Sequence, residues 1–170
     1  MNVKAKMIHK KLHSGISFLV LICFFCCVSE EEFSLQRAIS KKGLTQRPIV
    51  FEIPSTALKG TPQNIFIWLR NTSKYEFSNI FLITSLKVNN ETRIQDTLEF
   101  AMTNNNGSWL GKGFTEIKEN KLWWKEGLII PNEGPVQIEI AQAMRNNGKL
   151  DGVPELKGII SLGISIEDQQ

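Results

Sequence analysis

The sequence predicts an all-β fold: a single β-sandwich-like domain of about seven strands, preceded by an N-terminal signal and tether. Three observations predict it. From Ile49 onward, apolar residues recur at every second position, the period of a strand with one buried face. The apolar segments are short and are separated by Gly, Asn and Pro turns. No segment carries a convincing long helical stripe. The 170 residues suffice for one domain with an appendage, and 42% hydrophobic with 22% charged residues is ordinary globular composition.

Residues 1–26 read as an export signal. Lys4, Lys6, Lys10 and Lys11 make a basic start, and Ile16 to Phe25 is apolar apart from Ser17. That run is too short to span a bilayer, which takes about 20 apolar residues. Its end resembles the lipobox of bacterial lipoproteins, in which the residue before the modified cysteine is small. Cys27 has Cys26 before it, whereas Cys26 has the large Phe25, so Cys27 is the expected lipidation site. Phe24, three residues ahead of Cys27, departs from the usual leucine-like residue. Diacylglycerol plus an amide-linked chain on one cysteine would hold the protein in the membrane, since each buried methylene contributes about 0.8 kcal/mol. Val28 stands where an aspartate would resemble inner-membrane retention, so the outer membrane is expected. Ser29 to Glu32 reads as a solvated acidic tether, and also resembles the acidic export tag of some gliding bacteria.

Residues 27–48 form the expected lipidated N-terminus and tether, rich in Ser, Lys, Gln and Gly, with a weakly patterned short helix open between Leu35 and Lys42. Residues 49–170 form the expected domain. Ile49, Phe51 and Ile53 alternate with Val50 and Glu52. Asn64 to Leu69 is apolar on both faces, as in a central strand. Ile80, Leu82, Thr84, Leu86 and Val88 share one face, and Asn89-Asn90 makes the turn that follows. Ile94, Leu98, Phe100 and Met102 face opposite to Thr97, Glu99 and Ala101, before the Asn104–Gly107 turn. Val136, Ile138 and Ile140 mark another strand. Ile160, Leu162, Ile164 and Ile166 mark the last, with Ser161, Gly163 and Ser165 on its outer face.

Composition excludes several function classes. Removing the four N-terminal lysines from the 20 Lys and Arg leaves 16 against 17 Asp and Glu, so the domain has no basic excess for nucleic acid. From Val28 to Gln170 there is no Cys and no His. A disulfide framework, a Cys/His zinc site, a Ser-His-Asp triad and a Cys-His dyad are therefore all excluded there. The glycines of Gly107–Phe114 lack phosphate-loop spacing and read as a bulged hairpin. Asp96, Glu99, Glu116, Glu119 and Glu126 are the carboxylates available for glycoside hydrolysis, a chemistry decided by a separation that sequence does not give.

The chain resembles the GldH family of gliding motility lipoproteins. The resemblance is carried by Ile65–Asn71, Ser78–Leu86, Asp96–Met102, Gly107–Gly127, Gln142–Gly148 and Gly152–Glu167, together with the lipobox. It covers nearly all of the chain after the tether. The family tends to carry a Tyr and a Trp in the tether region, and this chain has neither between Val28 and Pro48. The resemblance implies an envelope lipoprotein required for gliding, associated with the outer membrane. It also implies linkage to the type IX secretion machinery and to other gliding lipoproteins. No enzymatic activity and no cofactor are implied.

The tryptophans are the remaining candidates for contact with a partner: Trp109, Trp123 and Trp124. Adjacent strand residues point to opposite faces, so one of Trp123 and Trp124 is expected in the core and the other exposed. Exposed aromatics suit a protein interface or, as the alternative function, a surface carbohydrate-binding platform.

Overall fold

The structure is a computed structural model and describes residues 32–169. The expected signal, the expected lipidation site Cys27 and the acidic Ser29–Glu31 stretch lie outside the described residues. The strands, in chain order, are β1 (Phe33–Ala38), β2 (Leu44–Thr45), β3 (Ile49–Ile53), β4 (Gln63–Asn71), β5 (Asn79–Val88), β6 (Glu91–Ala101), β7 (Lys118–Leu128), β8 (Val136–Gln142), β9 (Glu155–Leu156) and β10 (Ile159–Asp168). One 3-10 turn, Ser55–Ala57, follows β3. No helix among the described residues is long and apolar enough to cross a membrane.

Two four-stranded antiparallel sheets form the body, in the orders β1-β10-β4-β7 and β3-β8-β5-β6, with β2 and β9 as a separate ladder. The all-β, sandwich-like expectation holds, with ten strands among the described residues in place of about seven. Period-two alternation explains how the layers meet. Ile65, Ile67 and Leu69 of β4 and Leu162, Ile164 and Ile166 of β10 join Phe51, Leu82, Leu86, Ile138 and Ile140 of the other sheet in one buried cluster. The β5–β6 hairpin turns on Asn89 and Asn90, both at positive φ (53° and 64°). A two-residue turn of this hand needs that conformation at both positions, and Asn tolerates it.

Two expectations change. Phe33–Ala38, inside the stretch read as tether and open to a short helix, is instead β1, paired antiparallel with β10 from Phe33↔Ile166 to Ala38↔Ser161. Leu44, further along that stretch, is buried beside β9. β1 was hard to read because it is an edge strand with only Phe33 and Leu35 half-buried, too few positions to show a period. Its arrival also explains Gly163: a Cβ there would come within 2.6 Å of the Leu35 carbonyl oxygen. The second change lies in β10. Its register shifts between Ile159 and Ser161, so Ile159 is buried and Ile160 is not. A bulge of this kind reverses the facing of every residue before it. Ile159→Val is therefore expected to lower stability by about 1 kcal/mol, and Ile160→Val by less than about 0.5 kcal/mol. Urea denaturation of both variants checks it, and the reverse order would remove the bulge.

The first sheet also has a polarity. Phe33, Ile166, Ile65 and Lys125 stand side by side near one end, and Ala38, Ser161, Arg70 and Glu119 near the other. The domain chain therefore begins at the first end. The loop that leads into β7 leaves from the second.

Candidate functional site

The three tryptophans of interest separate by strand parity. In β7, Asn120, Leu122 and Trp124 point inward, while Lys121 and Trp123 point out. Trp124 is 6% exposed and Trp123 48%. Trp109 is partly buried and packs against the core, its ring 6.4 Å from Tyr75. Tyr75 is itself buried and its hydroxyl donates to the Asn79 carbonyl at 2.8 Å. Burial pushes its phenol well above the ordinary range. Of the expected contact residues, Trp124 is thus a core residue, Trp109 is edge packing, and Trp123 alone offers an open surface. Opposite facing of the pair was legible; which member faced inward was not.

Trp124 ties the two sheets together. Its indole N–H donates to Asp96 Oδ2 at 2.9 Å, and Lys125 Nζ lies 2.9 Å from the same oxygen. Asp96 belongs to β6, the edge of the second sheet, and Trp124 and Lys125 to β7, the edge of the first. One carboxylate therefore latches the two edges. Partial burial raises the Asp96 carboxyl, but the Trp124 and Lys125 hydrogen bonds and the Lys125 charge outweigh it and hold the group below its ordinary value of 3.8. A lowered carboxyl stabilises the fold fully above that ordinary value, and the contribution fades as pH falls through the folded value. Asp96→Asn is expected to flatten the loss of stability on acidification below about pH 4. Urea midpoints between neutral and acidic pH check it, and parallel curves for the two proteins would refute the latch. Glu119, another of the carboxylates singled out, is ion-paired with Arg70.

Outside, an aromatic and basic surface lies over the first sheet. Trp123 meets Phe66 edge-on, with centroids 4.7 Å apart and planes at 82°. Lys121 Nζ sits 4.0 Å from the Phe66 centroid and 5.5 Å from that of Trp68, within cation–π range. Lys121 also pairs with Glu167 at 2.6 Å. Ser165, expected on a wet face, is buried and accepts the Trp68 indole N–H at 2.9 Å. Beside this surface opens a cleft of about 530 Å³ lined by Trp68, Leu110, Gly111, Lys112, Asn120 and Lys121, among others. Leu110, Phe114 and Ile117, in the loop before β7, are exposed. Sequence reasoning missed them because periodicity says nothing of loops. The available signal was two apolar residues, Phe114 and Ile117, in a glycine-rich polar stretch with no strand pattern.

The GldH lipoprotein family model matches residues 37–166. The chain belongs to the GldH lipoprotein family. That match runs from within β1 to the inward-facing Ile166 of β10, so the GldH region takes in both sheets. A protein named gliding motility lipoprotein GldH, from Flavobacterium johnsoniae, is 35% identical over 92% of this chain and 97% of its own length. A GldH homolog from Christiangramia forsetii is 48% identical over 61% of this chain, and the match spans 64% of that relative, just under two thirds of its length. Among solved structures, dimeric latent PorU from Porphyromonas gingivalis aligns with 84% of this chain and 14% of its own, at 11% identity and a TM-score of 0.30. At that score it carries no argument about the GldH fold or its role.

Proposed function

We propose that this protein is a lipid-anchored, non-catalytic envelope component required for gliding motility. In this reading it is seated in the outer membrane through Cys27 and works with the type IX secretion machinery and other gliding lipoproteins. The observation that carries the proposal is the near full-length match to the Flavobacterium johnsoniae protein named gliding motility lipoprotein GldH. The non-catalytic reading is supported by the lack of any Cys or His from Val28 onward. The sugar-platform alternative loses support, because Trp124 is in the core, Trp109 is packed on its edge, and Trp123 meets Phe66 edge-on.

The test is a deletion strain complemented with the wild-type gene or with Cys27→Ala. Spreading is expected to be lost on deletion and restored by the wild-type gene alone. Cys27→Ala is expected to lose lipid labelling and to accumulate as unprocessed precursor. Normal spreading of the deletion strain would overturn the gliding role. A Cys27→Ala protein that is still labelled and cleaved would move the anchor to another cysteine.

A further inference from the structure

We infer that the Leu110–Ile117 loop, with the cleft beside it, is the docking surface for a protein partner held away from the membrane. The partner would offer an apolar socket for Phe114 and carboxylates for Lys112. The inference deepens the proposed function and rests on its anchor at Cys27.

Three apolar side chains, Leu110, Phe114 and Ile117, are exposed within one eight-residue segment, and Phe114 is fully so. Apolar surface grouped in this way marks an interaction site, whereas single exposed residues do not. The loop is held at its base. Lys112 and Glu119 exchange both backbone hydrogen bonds at 2.8 Å, and Lys118 Nζ donates to the Gly113 carbonyl at 2.6 Å. A Cβ on Gly113 would fall 2.3 Å from the Ile117 carbonyl oxygen, so glycine is required for the tight return. Gly111 approaches Asn120 closely on the cleft side. A loop fixed by its own base loses little freedom on binding. The neighbouring charges are unequal. Arg70 with Glu119 and Lys121 with Glu167 pair off, leaving Lys112 and Lys118 against Glu116. The tip is therefore positive and suits an acidic rim.

The end at which the chain enters the first sheet favours a protein over a bilayer. Glu32 follows Cys27 by five residues, a span of at most about 18 Å. The chain then enters β1 at the Phe33 end of the first sheet, while the loop leaves β7 near Glu119, at the other end. From Glu119 to Lys125 the strand rises about 20 Å. A loop meant for lipid belongs at the anchored end. A second copy meeting this surface across a two-fold axis would bring Lys112 against Lys112.

The experiment places a photo-crosslinking amino acid at Phe114 in the full-length protein in living cells, with exposed Leu150 as the control position and lipid labelling followed in parallel. A discrete adduct with a different protein is expected at 114 and not at 150. Its crosslinked peptide should combine apolar residues with Asp or Glu. Lys112→Glu is expected to reduce that adduct about tenfold or more without moving the thermal midpoint. A lipid adduct, an adduct of two copies of this chain, no adduct, or one indifferent to Lys112→Glu would each overturn the inference. Loss of lipid labelling with the expected adduct retained would reject the anchor while the docking surface stands.

Discussion

A fragment beginning at Ile49 is expected to be less stable than one beginning at Glu32 by at least about 3 kcal/mol, the middle of the range for truncating a single buried leucine. The shorter fragment lacks Leu44, which is buried in the common core against the β9 ladder. It also lacks β1, whose Phe33 and Leu35 pack on that core, and the Ile39 that follows. Removing β1 leaves β10 as a new sheet edge, with unpaired backbone groups along a strand rich in isoleucine, which invites self-association. Against a typical domain stability of about 5–15 kcal/mol, the loss is large enough to populate unfolded chains. Urea denaturation of both fragments measures it. Equal midpoints would mean that β1 and Leu44 are dispensable and that the domain starts at Ile49 after all.

The second large effect is expected at Trp124. Trp124→Ala should cost about 3–5 kcal/mol, through lost burial and the cavity left behind. It should also release Asp96 from the indole and leave it the Lys125 ion pair across the sheets. Trp124→Phe keeps most of the ring and loses the N–H, so a smaller cost of about 1–2 kcal/mol is expected. Trp123→Ala removes a half-exposed ring that rests on Phe66 and should cost under about 1 kcal/mol. The three denaturation midpoints rank the variants. Equal costs at Trp123 and Trp124 would contradict the facing of β7.

Where the sequence alternates cleanly, the fold could be read from it. Ile80 to Val88, Val136 to Ile140 and Leu162 to Ile166 bury the residues that their period predicts, and Asn89-Asn90 turns as two adjacent asparagines should. The reading stopped where long-range neighbours decide. β1 is half-polar and becomes a strand by pairing with a segment over a hundred residues later. Ile160 loses its place to Ile159 through a bulge that the apolar run Ile159-Ile160 conceals. Trp124, turned inward, finds its hydrogen-bond partner Asp96 on another sheet. Within the candidate surface, Trp123 was foreseen as one of a pair. Leu110, Phe114 and Ile117 were not, because all three lie outside the strands, and Phe114 and Ile117 sit in the loop that Lys112 and Glu119 close.

The direction of β1 has a mechanical consequence. Its first residue is the one nearest the proposed anchor, and six consecutive pairs join it to β10. Tension between a lipid on that side and a partner at the opposite end of the sheet would run along the strand axis. All six pairs would then share the force and have to slide together. Attached through the Ala38 end instead, the same pairs would peel away one at a time. How long the attachment survives a pull is set by the rate of forced unfolding and not by equilibrium stability. In the proposed role, the protein would thus draw strength from which end of its first strand is tied down.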